Sequence, residues 1–325
     1  MSTHSPLRPR YLRLAPPALL ALFAAAALPA QAATTYPLTV ENCGVSVTFD
    51  QAPQRVVTIK STATEMLLAL GLEERIVGVG FQDGPAPPPW SDRAAALPVL
   101  AEKLPSQEVV LAAEPDLVYG GWESNFAADG AGERPALANL GIESYVSPAA
   151  CRSADPGKLS FDAVFAEISE IGNIFDAAPA AEALIAEQRA TLAAVTPDTR
   201  GLTALWYSSG TKAPYVGAGT GAPQMILEAL GLTNIMAEVD DPWISSSWEA
   251  VADKEPDVIV LVDAVWNSAD QKMRLLAENP VTSQLPAVVN QRYLVVPFPA
   301  SEAGVRNAGA VVDMAAQLAA LDLTP

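Results

Sequence analysis

The chain has 325 residues, with 19 Lys and Arg against 37 Asp and Glu, for a net charge of −18. Half of it is hydrophobic and 17% is charged, which is enough apolar material for two ordinary cores and too little charge for a disordered chain. The acidity argues against a nucleic-acid partner, which needs clustered cations, and offers no attraction to anionic lipid.

Residues 1–32 read as an export signal. Arg8, Arg10 and Arg13 form a basic start, residues 15–28 an apolar stretch, and Ala30-Gln31-Ala32 a small-x-small cleavage site. The uncharged run 14–30 is marginal for a membrane span and contains three prolines. No twin-arginine pair is present and no cysteine follows at once, so a cleaved, non-lipidated, periplasmic protein is expected. Without this segment 16 cations face 37 acids, a net −21, and the only histidine, His4, is gone. That excludes Ser-His-Asp and Cys-His catalysis and zinc sites built on histidine. No second apolar span follows, so no membrane insertion of the mature chain is expected. Cys43 and Cys151 are far from any Cys-x-x-Cys spacing, and in an exported protein they read as a disulfide.

In chain order, residues 36–50 read as two short strands about a turn at Asn42-Cys43-Gly44. Residues 55–59 are a buried strand. A helix capped by Ser61 or Thr62 follows and stops at Gly71. Then come a strand at 76–79, a Pro-rich loop at 84–89, a helix at 108–113, a strand at 116–119, a helix at 137–140 and a strand at 143–146. Residues 161–175 and 180–195 are amphipathic helices, with Pro179 in the first turn of the second. The strand-helix pattern then restarts, with strands at 202–207, 257–262 and 293–296 and helices at 222–230, 248–252, 269–277 and 305–321.

The second half echoes the first. A Leu-Gly-Leu turn follows a helix at 70–72 and again at 230–232. Glu108 opens a helix that leads through Glu114-Pro115-Asp116 into a strand, and Glu249 opens one that leads through Glu255-Pro256-Asp257 into another. The predicted fold is α/β: two similar Rossmann-like lobes with mostly parallel sheets, at 33–177 and 200–325, joined by a linker helix at 178–199.

An exported, histidine-free pair of such lobes resembles the substrate-binding proteins of ABC importers for iron-siderophores and cobalamin. The likeness runs through Arg55-Val56-Val57, Thr64-Glu65, both Glu-Pro-Asp segments and the ending from Leu285-Pro286 to Val296. It implies a monomer that binds a small molecule between two lobes, closes slightly, and delivers it to permease subunits with their ATPase, without a cofactor or covalent chemistry. The segments 58–65, 121–126, 147–151 and 296–307 look like a narrower group associated with uptake of the phospholactate precursor of the deazaflavin coenzyme. In the family, one acid on each lobe docks on permease arginines, and Glu108 and Glu249 match those positions. Locally, each is also a favourable carboxylate at a helix start.

Ligands of parallel sheets bind beyond the carboxyl ends of the strands. The residues found there are Lys60, Tyr119, Trp122, Asn125, Trp206, Tyr207, Trp266 and Arg306. The rings supply contact area, while Lys60 and Arg306 are candidates to neutralise an aromatic or chelate-like anion. Trp206 and Tyr207 are adjacent on a strand and face opposite sides. Gly217-Ala218-Gly219-Thr220-Gly221-Ala222 fits the dinucleotide pattern G-x-G-x-x-A, but is read as a flexible loop whose amides could touch an anion. Two rivals are an exported enzyme, with Glu123 or Asp240-Asp241 as general acids, and a receptor module without a transport partner.

Overall fold

The structure, a computed structural model, describes residues 1–4, 33–155 and 157–323. All but the first four residues of the expected export signal lie outside the described residues.

A hairpin opens the folded region, β1 (Leu38–Asn42) pairing antiparallel with β2 (Val45–Phe49). Cys43 and Gly44 between them have φ of 51° and 74°, the left-handed conformation that a two-residue turn matching the strand twist requires. Then follow β3 (Val56–Ile59), α1 (Ser61–Ala69), β4 (Ile76–Gly80), α2 (Ser91–Ala95), β5 (Val99–Ala101), α3 (Gln107–Ala112), β6 (Leu117–Gly120), α4 (Arg134–Ala138) and β7 (Glu143–Val146). Strands β3 to β7 make an all-parallel sheet in the order β5-β4-β3-β6-β7. Every residue of β3 and β6 is buried, as expected where both faces of a sheet are covered.

Two helices leave this sheet, α5 (Phe161–Ile174) and α6 (Ala178–Ala193), and pack on each other. A Cβ on Gly172 would lie 2.5 Å from the Ala181 side chain, so glycine permits this close approach. Helix α6 ends at Ala193, short of Pro197.

The second half contains β8 (Thr203–Ser209), β9 (Tyr215–Gly217), α7 (Ala222–Leu230), β10 (Thr233–Asn234), β11 (Trp243–Ser245), α8 (Trp248–Ala252), β12 (Val258–Asp263), α9 (Ala269–Glu278), α10 (Pro286–Val289), β13 (Tyr293–Pro297) and α11 (Asn307–Ala320). Its sheet runs β11-β9-β8-β12-β13, with β10 also on β8. Strands β8, β10, β12 and β13 pair in parallel, whereas β9 and β11 form an antiparallel edge.

The internal echo has a structural counterpart. Glu114 and Glu255 both adopt positive φ, 47° and 40°. The following aspartates then face back to the neighbouring strand. Asp116 accepts hydrogen bonds from the Gln54 and Arg55 amides, at 2.7 and 3.0 Å, and Asp257 accepts from the amide and hydroxyl of Thr203, both at 2.8 Å. Each carboxylate thus sets the register of a central strand pair.

One apolar cluster runs from the β3–β6 sheet through α1, α5, α6, α7 and α11 to the β8–β12 sheet, with smaller clusters on the outer faces. Ala33–Pro325 accordingly forms one compact unit. Cys43 and Cys151 are bonded, with a Cα separation of 5.2 Å, tying the hairpin turn to the loop after β7. Beside them the buried Arg134 donates to the Asn42 carbonyl and to the Ser144 hydroxyl, at 2.8 and 2.9 Å.

Candidate functional site

A cavity of about 710 Å³ opens where the carboxyl ends of the two sheets face each other, within the usual size range for a small-molecule site. The first half contributes segments after β6 and β7 and the hairpin turn; the second contributes segments after β8, β12 and β13. Helix α5 also lines it, through Ala163 and Glu167.

Five aromatic side chains line the wall, Trp122, Tyr215, Trp243, Trp266 and Phe298. Trp122 and Trp266 meet Phe298 edge-on, with centroids 6.5 and 5.0 Å away, and Tyr215 stacks on Trp243 at 5.8 Å. Trp122 comes from the first half and Phe298 and Glu302 from the second, and the Trp122 indole N–H donates to Glu302 across the seam. Trp266 is 55% exposed, an open apolar surface at the rim.

The two cations expected to neutralise an anion are committed elsewhere. Lys60 is 1% exposed and contacts the Asp83 carboxylate, and its ammonium lies 3.6 Å from the Trp122 ring centroid and 4.4 Å from that of Phe81. Burial pushes its pKa down, opposed by Asp83. Asp83 also accepts from the Ser61 amide at the start of α1, so this carboxylate, and neither Ser61 nor Thr62, caps the helix. Arg306 makes a bidentate pair with Glu65 on α1, and reaches the Pro85 carbonyl at 3.2 Å. Neither cation lines the cavity.

Four more expected residues also lie off the wall. Tyr119 is buried and donates to Glu167 at 2.8 Å. Asn125 is buried and accepts from the Trp122 amide at 3.0 Å, holding the turn that presents Trp122. Trp206 and Tyr207 do face opposite sides of β8, but each enters a core, and Tyr207 donates to the Gly210 carbonyl at 2.7 Å. Strand β8 continues to Ser209, so the cavity receives Ser208 and Ser209 in their place. Of the eight expected ligand residues, Trp122 and Trp266 line the cavity. Glu108 and Glu249 are exposed, each the second residue of a short helix after a serine N-cap, and among the described residues neither has an ion-pair partner. A hydrogen bond from Ser106 holds Glu108 below its ordinary pKa.

The glycine-rich loop is strapped down. The amides of Ala218, Gly219 and Thr220 donate to the carbonyls of Pro242, Val239 and Asp241, at 2.9, 3.0 and 3.2 Å. Those three amides are therefore occupied and the loop is held in place, while Gly221 and Ala222 at the start of α7 line the cavity. Glu123 is likewise engaged. Burial works against its charge, but the Ser153 hydroxyl and the amides of Arg152 and Ser153 hold its pKa down, which suits a structural clasp and not a general acid.

The wall carries Glu41, Glu123, Asp155, Glu167 and Glu302 against one cation, Arg152, which approaches Asp241 to 3.8 Å. Among the described residues no three His, Cys, Asp or Glu side chains converge to hold a metal ion. Sequence reasoning missed Tyr215, Trp243, Phe298, Arg152 and Glu167. Tyr215 and Trp243 sit on strands of three residues, too short for a period to show. Glu167 did leave a signal, as an acid on the buried face of α5 between Val164 and Ile171.

A family model described as periplasmic binding protein matches residues 56–300. A cobalamin-binding protein of Halobacterium salinarum is 30% identical over 246 residues, 71% of this chain and 60% of that protein, so the chain spans about 60% of the length of this relative. Among solved structures, a periplasmic binding protein from Veillonella parvula aligns with a TM-score of 0.77 at 26% identity, covering 86% of this chain and 97% of that one. An ABC-type Fe3+-hydroxamate transport system structure from Saccharomonospora viridis aligns with a TM-score of 0.76 at 30% identity, covering 88% and 100%. Two halves of one design face each other across an aromatic cavity, and the family match runs from β3 to the segment after β13: the chain belongs to the periplasmic binding protein family of solute-binding proteins.

Proposed function

We propose that the chain is the extracytoplasmic substrate-binding component of an ABC importer, made with a cleaved export signal at 1–32. It takes a small molecule of the iron-siderophore or cobalamin chelate type between lobes 33–177 and 200–325 and hands it to the permease. The observation that carries this reading is the aromatic-walled cavity at the facing carboxyl ends of two sheets. The names of the Halobacterium and Saccharomonospora proteins support the chelate class. A phosphorylated ligand such as the phospholactate precursor would need cations, and the wall offers Arg152 against five carboxylates, which favours the chelate. Trp122 and Trp266 are the contact residues in this reading. Lys60 and Arg306 act indirectly, by fixing the rings and joining the halves.

Glu108 and Glu249 are proposed to dock on cations of the two permease subunits. Two separated charges fix orientation, and complementary charge speeds encounter. Exposure and the absence of an internal ion-pair partner among the described residues support this role. The test is uptake in cells lacking the gene. Wild type restores uptake of a ferric hydroxamate or cobalamin, and the Glu108→Arg/Glu249→Arg double variant does not, although it still binds the ligand in vitro. Uptake that survives the double change contradicts the docking role, and wild type that restores uptake of neither contradicts the transport reading for this ligand class.

A further inference from the structure

We infer that the ligand presents a protonated amine or similar hydrogen-donating cation to Glu167 in the cavity wall. This deepens the transport reading and rests on it for the site, but concerns the charge of the ligand and not its delivery. Glu167 is 4% exposed, yet lines the cavity. The Tyr119 and Ser147 hydroxyls both donate to its Oε1, at 2.8 and 2.6 Å. Among the described residues its Oε2 accepts no hydrogen bond, and it is not sealed from the cavity either. A buried carboxylate with one satisfied and one open oxygen is costly unless a partner arrives, and a charged donor is the strongest one.

The surroundings select the sign of that partner. The wall's carboxylates outnumber its single cation, Arg152, and the rings of Trp243 and Trp266 favour a cation over an anion. Among the described residues no cation pairs with Glu167. The groups facing it are Tyr119 from β6, Tyr145 from β7, Ser147 after β7 and Glu170 on α5 itself. Burial, with help from Glu170, raises its pKa to about 7 against the two hydroxyls, so a bound cation would ionise it and release a proton.

The experiment uses the full chain and a matched pair of probes, phenethylammonium and 3-phenylpropionate, which share a ring and spacer and differ in charge. Binding is read by calorimetry in two buffers and by tryptophan fluorescence. The expected result is millimolar or tighter binding of the ammonium, at least about tenfold weaker binding of the carboxylate, and an affinity for the ammonium that falls about tenfold from pH 8 to pH 6 with proton release. Glu167→Gln should lower the ammonium affinity about tenfold and abolish the proton release. The wild-type pH and buffer dependence decides the matter even if that variant does not fold. Equal or preferred binding of the carboxylate, pH-independent binding, or no ammonium binding in the millimolar range overturns the proposal. The uptake experiment stands apart from all three.

Discussion

Glu65 is 3% exposed on α1, and Arg306, 11% exposed at the start of α11, is its counter-ion. Removing one member of such a pair leaves a buried charge, so Arg306→Ala should destabilise by about 3–5 kcal/mol in denaturant unfolding. Arg306→Lys keeps the charge but loses the bidentate geometry, and should fall between. A variant as stable as wild type would show that the pair does not hold the halves together. Glu167 makes a prediction of opposite kind. Its folded pKa of about 7 lies above that of an unfolded glutamate, so the folded state binds the extra proton between pH 4.5 and 7. Its contribution to the stability of the empty protein is present below that window and is lost as pH rises through it, by on the order of 3 kcal/mol. Glu167→Gln should flatten this part of the stability-pH curve. An unchanged slope would show that Glu167 is ionised without a ligand.

Among the elements, the longest loop closure belongs to the Cys43–Cys151 bond, which spans 108 residues. In the chain-entropy model such a crosslink stabilises by about 4–5 kcal/mol. Cys43→Ser/Cys151→Ser should lose most of that, and thiol titration of the denatured, unreduced wild type should find no free thiols. Two free thiols would rule the bond out. The elements legible in the sequence were those with several turns or several apolar residues: β3, α5, α6, α7 and β12 are all close to their expected bounds. The missed ones, β5, β9, β10, β11, α2 and α10, have two to five residues, and their conformation is set by tertiary neighbours. The site suffered for the same reason. Tyr215 and Trp243 owe their place to the β9–β11 pairing, which no local pattern announces. Strand length decided Trp206 and Tyr207, because two further residues of β8 keep both rings inside. Lys60 and Arg306 were legible as isolated cations near strand ends, but their partners Asp83 and Glu65 are 23 and 241 residues away in sequence.

At the scale of the whole molecule, the apolar cluster shared by the two sheets and α5, α6 and α11 leaves no free hinge of the kind a long flexible linker would give. Hydrogen bonds add to it, including the Leu159 amide to the Thr220 carbonyl at 2.8 Å and the Gln188 side-chain amide to the Val305 carbonyl at 3.1 Å. Ligand binding should therefore change the radius of gyration little in small-angle scattering, and a large compaction would contradict the shared core as a brace. The central claim, that the cavity captures a small molecule without transforming it, is tested most directly by native mass spectrometry of the protein isolated from its own cell envelope. The account predicts one non-covalent small molecule per chain, recovered chemically unchanged and no longer retained in a Trp122→Ala/Trp266→Ala variant. A ligand that stays bound at full occupancy in that variant, or one released as a changed product, would contradict it.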